Sequence, residues 1–112
     1  MGLAGALALA GAFPLHAHSL LLDASPAPHA TVPAPAEVRL RFNNRVERAL
    51  SRLAIVDARG TRHELSLARD AAPDRLAAPA PALPPGAYRV EWQVLSADGH
   101  SVNGRYPFRI AP

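Results

Sequence analysis

The chain has 112 residues, room for one domain, and carries twelve arginines and no lysine against nine acidic residues, a formal net charge of +3. It contains no cysteine, which excludes disulfides and thiolate metal sites. Its twelve prolines argue against long helices and for short strands joined by turns. The arginines stand singly along the sequence, with no basic cluster interleaved with aromatics, so no nucleic-acid partner is expected.

Residues 1–17 carry no charged side chain and are mostly small or apolar. The run is too short for a comfortable membrane span and resembles the apolar and cleavage regions of a secretory signal peptide, although the usual basic start is missing. Cleavage after Ala17 makes His18 the first residue of the mature protein. The expected organisation is therefore a signal peptide over 1–17 and one domain over 18–112.

Leu20 to Ala24 reads as a short apolar strand. Ser25-Pro26-Ala27-Pro28-His29 is a turn, and Pro33-Ala34-Pro35 is a second break. From Glu37 to Asn43 the pattern alternates, with Val38, Leu40 and Phe42 on one face, as in a half-buried strand. Val46 to Ser51 suits a single helical turn. Leu53 to Val56 is the next strand, and Thr61 to Leu67 pairs back on it with His63, Leu65 and Leu67 on one face. A short edge strand is expected near Arg75 to Ala77. Pro84-Pro85-Gly86 is a turn before Tyr88, Val90, Trp92 and Val94, and Tyr106, Phe108 and Ile110 make a last alternating strand. About seven short strands at such intervals predict an all-β, Greek-key sandwich or barrel, cupredoxin-like or Ig-like, with Trp92 central in the core.

Five histidines are available for chemistry. His16 leaves with the signal, and His29 and His63 read as surface or rim residues without a useful carboxylate neighbour. The remaining two are His18 and His100. Asp98 precedes His100 by two positions in Ser96-Ala97-Asp98-Gly99-His100, between the two best strand patterns, so in extended backbone both side chains point the same way. A mature chain beginning at His18 adds an α-amine and an imidazole that can chelate one metal. With His100 and Asp98 the donors are three nitrogens and one oxygen, a set that suits tetragonal Cu(II) and that zinc also accepts.

These residues resemble the small periplasmic copper-binding proteins of the CopC type. The resemblance runs from His18, Leu21 and Ser25-Pro26 through Val38-Arg39-Leu40-Arg41-Phe42 to Gly86-Ala87-Tyr88-Arg89-Val90-Glu91-Trp92. It ends with Ser96-Ala97-Asp98-Gly99-His100, Gly104 and Phe108. It implies a cupredoxin-like Greek-key fold and a type 2 Cu(II) site at His18, Asp98 and His100. It also implies a role as carrier or buffer in copper resistance and homeostasis, with a CopD-type inner-membrane copper transport protein as partner; a monomer is expected. Two positions depart from the family. The single methionine is Met1, so no thioether site for Cu(I) is expected. Asn44 stands where some members have a glutamate near the copper.

Two other functions compete. An amine with two imidazoles on copper is also the donor set of oxidative polysaccharide-cleaving enzymes. Against an enzyme, the chain is small, most of its aromatics fall on inward strand positions, and Asp98 favours Cu(II) over Cu(I). An Ig-like secreted interaction domain without metal would leave Asp98 and His100 as loop decoration. The expected protein is not an enzyme.

Overall fold

The computed structural model describes residues 20–112, so the expected signal segment and His18 lie outside the described residues. The described residues form eight strands: β1 (Leu21–Ser25), β2 (Thr31–Val32), β3 (Glu37–Phe42), β4 (Arg52–Asp57), β5 (Arg62–Glu64), β6 (Arg75–Pro79), β7 (Gly86–Leu95) and β8 (Ser101–Ile110). A 3-10 turn over Arg48–Leu50 stands where one helical turn was expected. One sheet has the order β1-β3-β6 and the other β2-β8-β7-β4-β5. The result is the two-layer sandwich that the strand spacing predicts. All pairings are antiparallel except β2 with β8.

Strand alternation decides the two faces. On β3, Val38, Leu40 and Phe42 are buried between exposed or half-buried polar residues. They meet Leu53 and Ile55 of β4, Leu76 of β6, Val90 and Val94 of β7, and Phe108 of β8, all nearly inaccessible to solvent. Each such side chain contributes ~1.5–3 kcal/mol through burial. β6 lies at the edge of its sheet, as expected.

Three expectations are corrected. Trp92 is only half-buried and does not fill the centre of the core; Phe42, Phe108 and Leu40 do. Its ring lies at the side of the core, edge-on to Phe42 at 6.3 Å and tilted against Tyr106 at 5.9 Å. The strand expected over Thr61–Leu67 ends at Glu64, although Leu65 and Leu67 still pack on the core. The two-residue strand β2 is an eighth element beyond the seven expected.

Tyr106 closes one side of the sandwich. Its hydroxyl donates to the Pro26 carbonyl at 2.6 Å, and burial pushes its pKa up. The Tyr88 hydroxyl similarly donates to the Pro84 carbonyl.

Candidate metal site

Asp98 and His100 lie in the connection between β7 and β8. The Ser96 carbonyl accepts from the Gly99 N–H at 2.9 Å, and the Ser96 N–H donates to the His100 carbonyl at 2.8 Å. This is a three-residue hairpin loop, and Gly99 occupies its left-handed position at φ +91°. A side chain there would be strained, so glycine supports this turn.

The turn also changes the reason the two candidate ligands converge. Extended backbone does not align them. Asp98 folds over the loop, its Oδ1 accepting the His100 N–H at 3.1 Å and its Oδ2 lying 3.2 Å from His100 Nδ1. Two donors each about 2.0 Å from one ion stand about 2.8 Å apart at a right angle and about 3.3 Å apart at the tetrahedral angle. The pair is therefore spaced close to neighbouring ligands of a single metal. Their side chains are 37% and 57% exposed, which leaves the donors reachable from solvent. Among the described residues no third His, Asp or Glu converges with them.

The segment after β3 buttresses this loop. Val46 forms an isolated bridge with Ser96, the Ala97 N–H donates to the Arg45 carbonyl at 3.2 Å, and the Glu47 N–H donates to the Leu95 carbonyl at 2.8 Å. The Ser51 hydroxyl donates to the Glu47 carbonyl at 2.8 Å and accepts the Leu95 N–H at 3.2 Å. The start of the described chain joins the same segment. Leu20 N–H donates to Asn43 Oδ1 at 2.7 Å, and Asn43 N–H donates to the Leu20 carbonyl at 3.0 Å. Asn43, whose side chain carries no expectation from the sequence, thus ties Leu20 to the segment that supports the Asp98–His100 turn. Asn44, at the family's glutamate position, is exposed.

The other histidines divide. His29 is an exposed turn residue at φ +65°. His63 corrects the sequence reading, because it does have a carboxylate neighbour. Its Nε2 lies 3.4 Å from Asp57 Oδ2, with both side chains partly buried. The β4–β5 hairpin brings them together across six positions. Asp57 Oδ1 accepts the N–H groups of Thr61 and Arg59 at 2.9 and 3.0 Å. The Thr61 N–H chiefly holds the Asp57 carboxyl below its usual range, helped by His63 and the Arg59 N–H. Among the described residues this pair recruits no third metal-binding side chain and serves the hairpin.

An eight-stranded Greek-key sandwich with an Asp–His pair in its last hairpin defines a class of small β domain. Residues 21–111 match the CopC domain model, and the chain belongs to that family. Copper resistance protein C of Escherichia coli is 30% identical over 117 residues, 96% of this chain and 93% of its own length. Copper resistance protein C of Xanthomonas campestris pv. juglandis is 34% identical, over 96% of this chain and 88% of that protein. Copper transport protein CutJ of Bacillus subtilis is 32% identical over 84% of this chain, but the match spans only 18% of that longer protein.

The crystal structure of CopC from Methylosinus trichosporium OB3b superimposes with a TM-score of 0.76 at 40% identity, covering 85% of this chain and 95% of that one. PcoC, described as a methionine-rich copper resistance protein of E. coli, superimposes at 0.72 with 26% identity, covering 84% and 99%. The present chain differs from that description, since its one methionine is Met1.

Proposed function

We propose that this protein binds Cu(II) outside the cytoplasm and acts in copper resistance and homeostasis as a carrier or buffer, not as an enzyme. The ligands are the α-amine and imidazole of His18, the carboxylate of Asp98 and the imidazole of His100. Residues 1–17 direct export to the periplasm, and cleavage before His18 frees the amine. The carboxylate favours Cu(II) over Cu(I), which suits holding the ion more than redox cycling. A CopD-type membrane protein is the proposed recipient, and the carrier works as a monomer.

The observation that carries this proposal is the Leu20–Asn43 pair. It fixes the chain two residues after His18 onto the segment whose Arg45 carbonyl receives Ala97 of the Asp98–His100 turn. Two residues of chain reach at most ~7 Å, and that short reach from Leu20 supports the reading of His18 as a ligand.

The test is Cu(II) titration of the mature protein beside His18→Ala, His100→Ala and a form with one residue added before His18. Each change is expected to weaken binding strongly, and the unmodified protein is expected to give a tetragonal type 2 electron paramagnetic resonance spectrum with nitrogen couplings. Unchanged affinity in all three would reject the site. Ascorbate-driven peroxide production well above that of free copper would reject the carrier role in favour of an oxidative enzyme.

A further inference from the structure

Arginines that stand singly in the sequence are gathered by strand pairing. On β4, β5, β7 and β8 the residues between the buried positions point away from the core, and Arg52, Arg62, Arg89, Arg105 and Arg109 are among them. The acidic residues on that outer face are Glu64 and Glu91. Five arginines against two glutamates leave three positive charges, which is the formal net charge of the whole chain. The other seven arginines are matched by seven acidic residues, so all of the excess charge lies on one sheet face.

Internal pairing does not consume this charge. Arg62 and Arg89 both hold Glu91, and Arg52 and Arg62 share Glu64. Arg105 and Arg109 are exposed and, among the described residues, join no ion pair. The face also lacks an apolar anchor. The exposed large hydrophobics of the described chain are Leu20, Leu22 and Leu50, and none lies on it. Protein interfaces commonly pair their arginines with buried aromatic anchors. A broad cationic face without one suits a laterally mobile anionic surface better.

We propose that the outer face of the five-stranded sheet docks electrostatically on anionic phospholipid headgroups. The contact is peripheral and reversible. It is independent of whether the Asp98–His100 turn holds copper.

The test compares sedimentation of the 112-residue chain with vesicles of phosphatidylglycerol and phosphatidylcholine, and with phosphatidylcholine alone. The ratio of the two isolates the electrostatic part from any apolar contribution. At ~10 mM salt, where charges act over ~30 Å, the ratio is expected to lie well above one, and at ~1 M salt it should approach one. Arg105→Gln with Arg109→Gln should lower it roughly 25-fold, from ~1 kcal/mol for each arginine. Arg39→Gln with Arg75→Gln removes the same charge from the other sheet and should leave the ratio nearly unchanged. A ratio of one at low salt, or equal losses in the two double variants, overturns the proposal. Retention on immobilised polyglutamate through Arg105 and Arg109, without dependence on phosphatidylglycerol, overturns it in favour of an acidic protein partner.

Discussion

Asn43 and Leu20 hold each other through two hydrogen bonds of 2.7 and 3.0 Å, one step beyond the Leu21–Phe42 register of β1 and β3. Asn43→Ala removes the side-chain acceptor and keeps the backbone bond. Leu20 is 50% exposed, so water replaces much of what is lost and the cost is ~1 kcal/mol. That lowers the melting temperature by ~4–8 °C for a domain of this size. In the proposed site the same change releases the segment carrying His18, and Cu(II) affinity should fall about five-fold for the same ~1 kcal/mol. Chelator-competition titration and a thermal melt of the metal-free protein measure the two effects separately. An unchanged affinity beside a lowered melting temperature would give the pair a purely structural role.

Copper release and unfolding should occupy different pH windows. The Arg89 guanidinium chiefly holds Glu91 below its ordinary value of 4.5, with Arg62 assisting. Asp57 is held below its ordinary 3.8, chiefly by the Thr61 N–H. A carboxyl with a depressed folded pKa stabilises the fold above its ordinary value and loses that contribution as pH falls through the lower folded value. Nothing is lost from these two groups between pH 8 and 5. Protons meanwhile compete with the metal for an amine and imidazoles, whose reference values are ~8 and ~6.5. Copper affinity should therefore weaken as pH drops below about 7 while circular dichroism stays native, with unfolding only below the carboxylate range. Copper release that coincides with unfolding would reject the amine–imidazole donor set.

The strands were legible because side-chain alternation is a local signal. Val38-Leu40-Phe42 and Tyr88-Val90-Val94 mark their buried faces without reference to a partner. What escaped depends on non-local pairing. β2 has two residues and exists only through its parallel register with β8. His63 meets Asp57 only once the β4–β5 hairpin closes. Trp92 read as a central residue from its inward position, but its neighbour across the ladder is Gly104, and the ring spreads over the space that glycine leaves. At the candidate site the identities of Asp98 and His100 were legible and the reason for their convergence was not. Alternation suggested a shared strand face, whereas a tight turn with Gly99 at positive φ brings them together.

Gly104 should be intolerant of any side chain. A Cβ there would lie 2.1 Å from Trp92 Cζ2 and 2.4 Å from Cε2, well inside contact distance. The indole would have to leave its place between Phe42 and Tyr106. Gly104→Ala is expected to cost ~1–3 kcal/mol, the usual range for overpacking, and to shift Trp92 fluorescence towards that of a solvated indole. Gly104→Ala combined with Trp92→Phe should recover part of the loss, because the smaller ring clears the methyl group. If the double variant is as unstable as the sum of the two singles, the Trp92 contact is not the cause.

Arg48 organises a segment far from it in sequence. Its guanidinium donates to the carbonyls of Arg69 at 3.1 Å, Ala71 at 2.6 Å and Ala72 at 3.1 Å, pinning the run that leads into β6. Charged donors make the stronger hydrogen bonds, but two of these three are exposed, so their joint loss is expected to cost ~2 kcal/mol. Arg48→Met keeps most of the apolar stem and removes all three donors. Its clearest consequence should be local: backbone bonds hold the ends of the run, from the Ala68 N–H to the Ala77 carbonyl and from the Val46 N–H to the Pro73 carbonyl, and Arg48 holds the stretch between them, which opens before the sandwich does. Arg69 is then a direct reporter, because trypsin cuts after arginine only where the backbone can enter its cleft. Limited trypsin digestion is expected to cut after Arg69 several times faster in Arg48→Met, with the native circular dichroism of the remaining molecule retained. Arg48→Lys, with a single ammonium that cannot span three carbonyls, should fall between the two. Equal cleavage rates in all three proteins would show that backbone packing, not Arg48, holds the run in place.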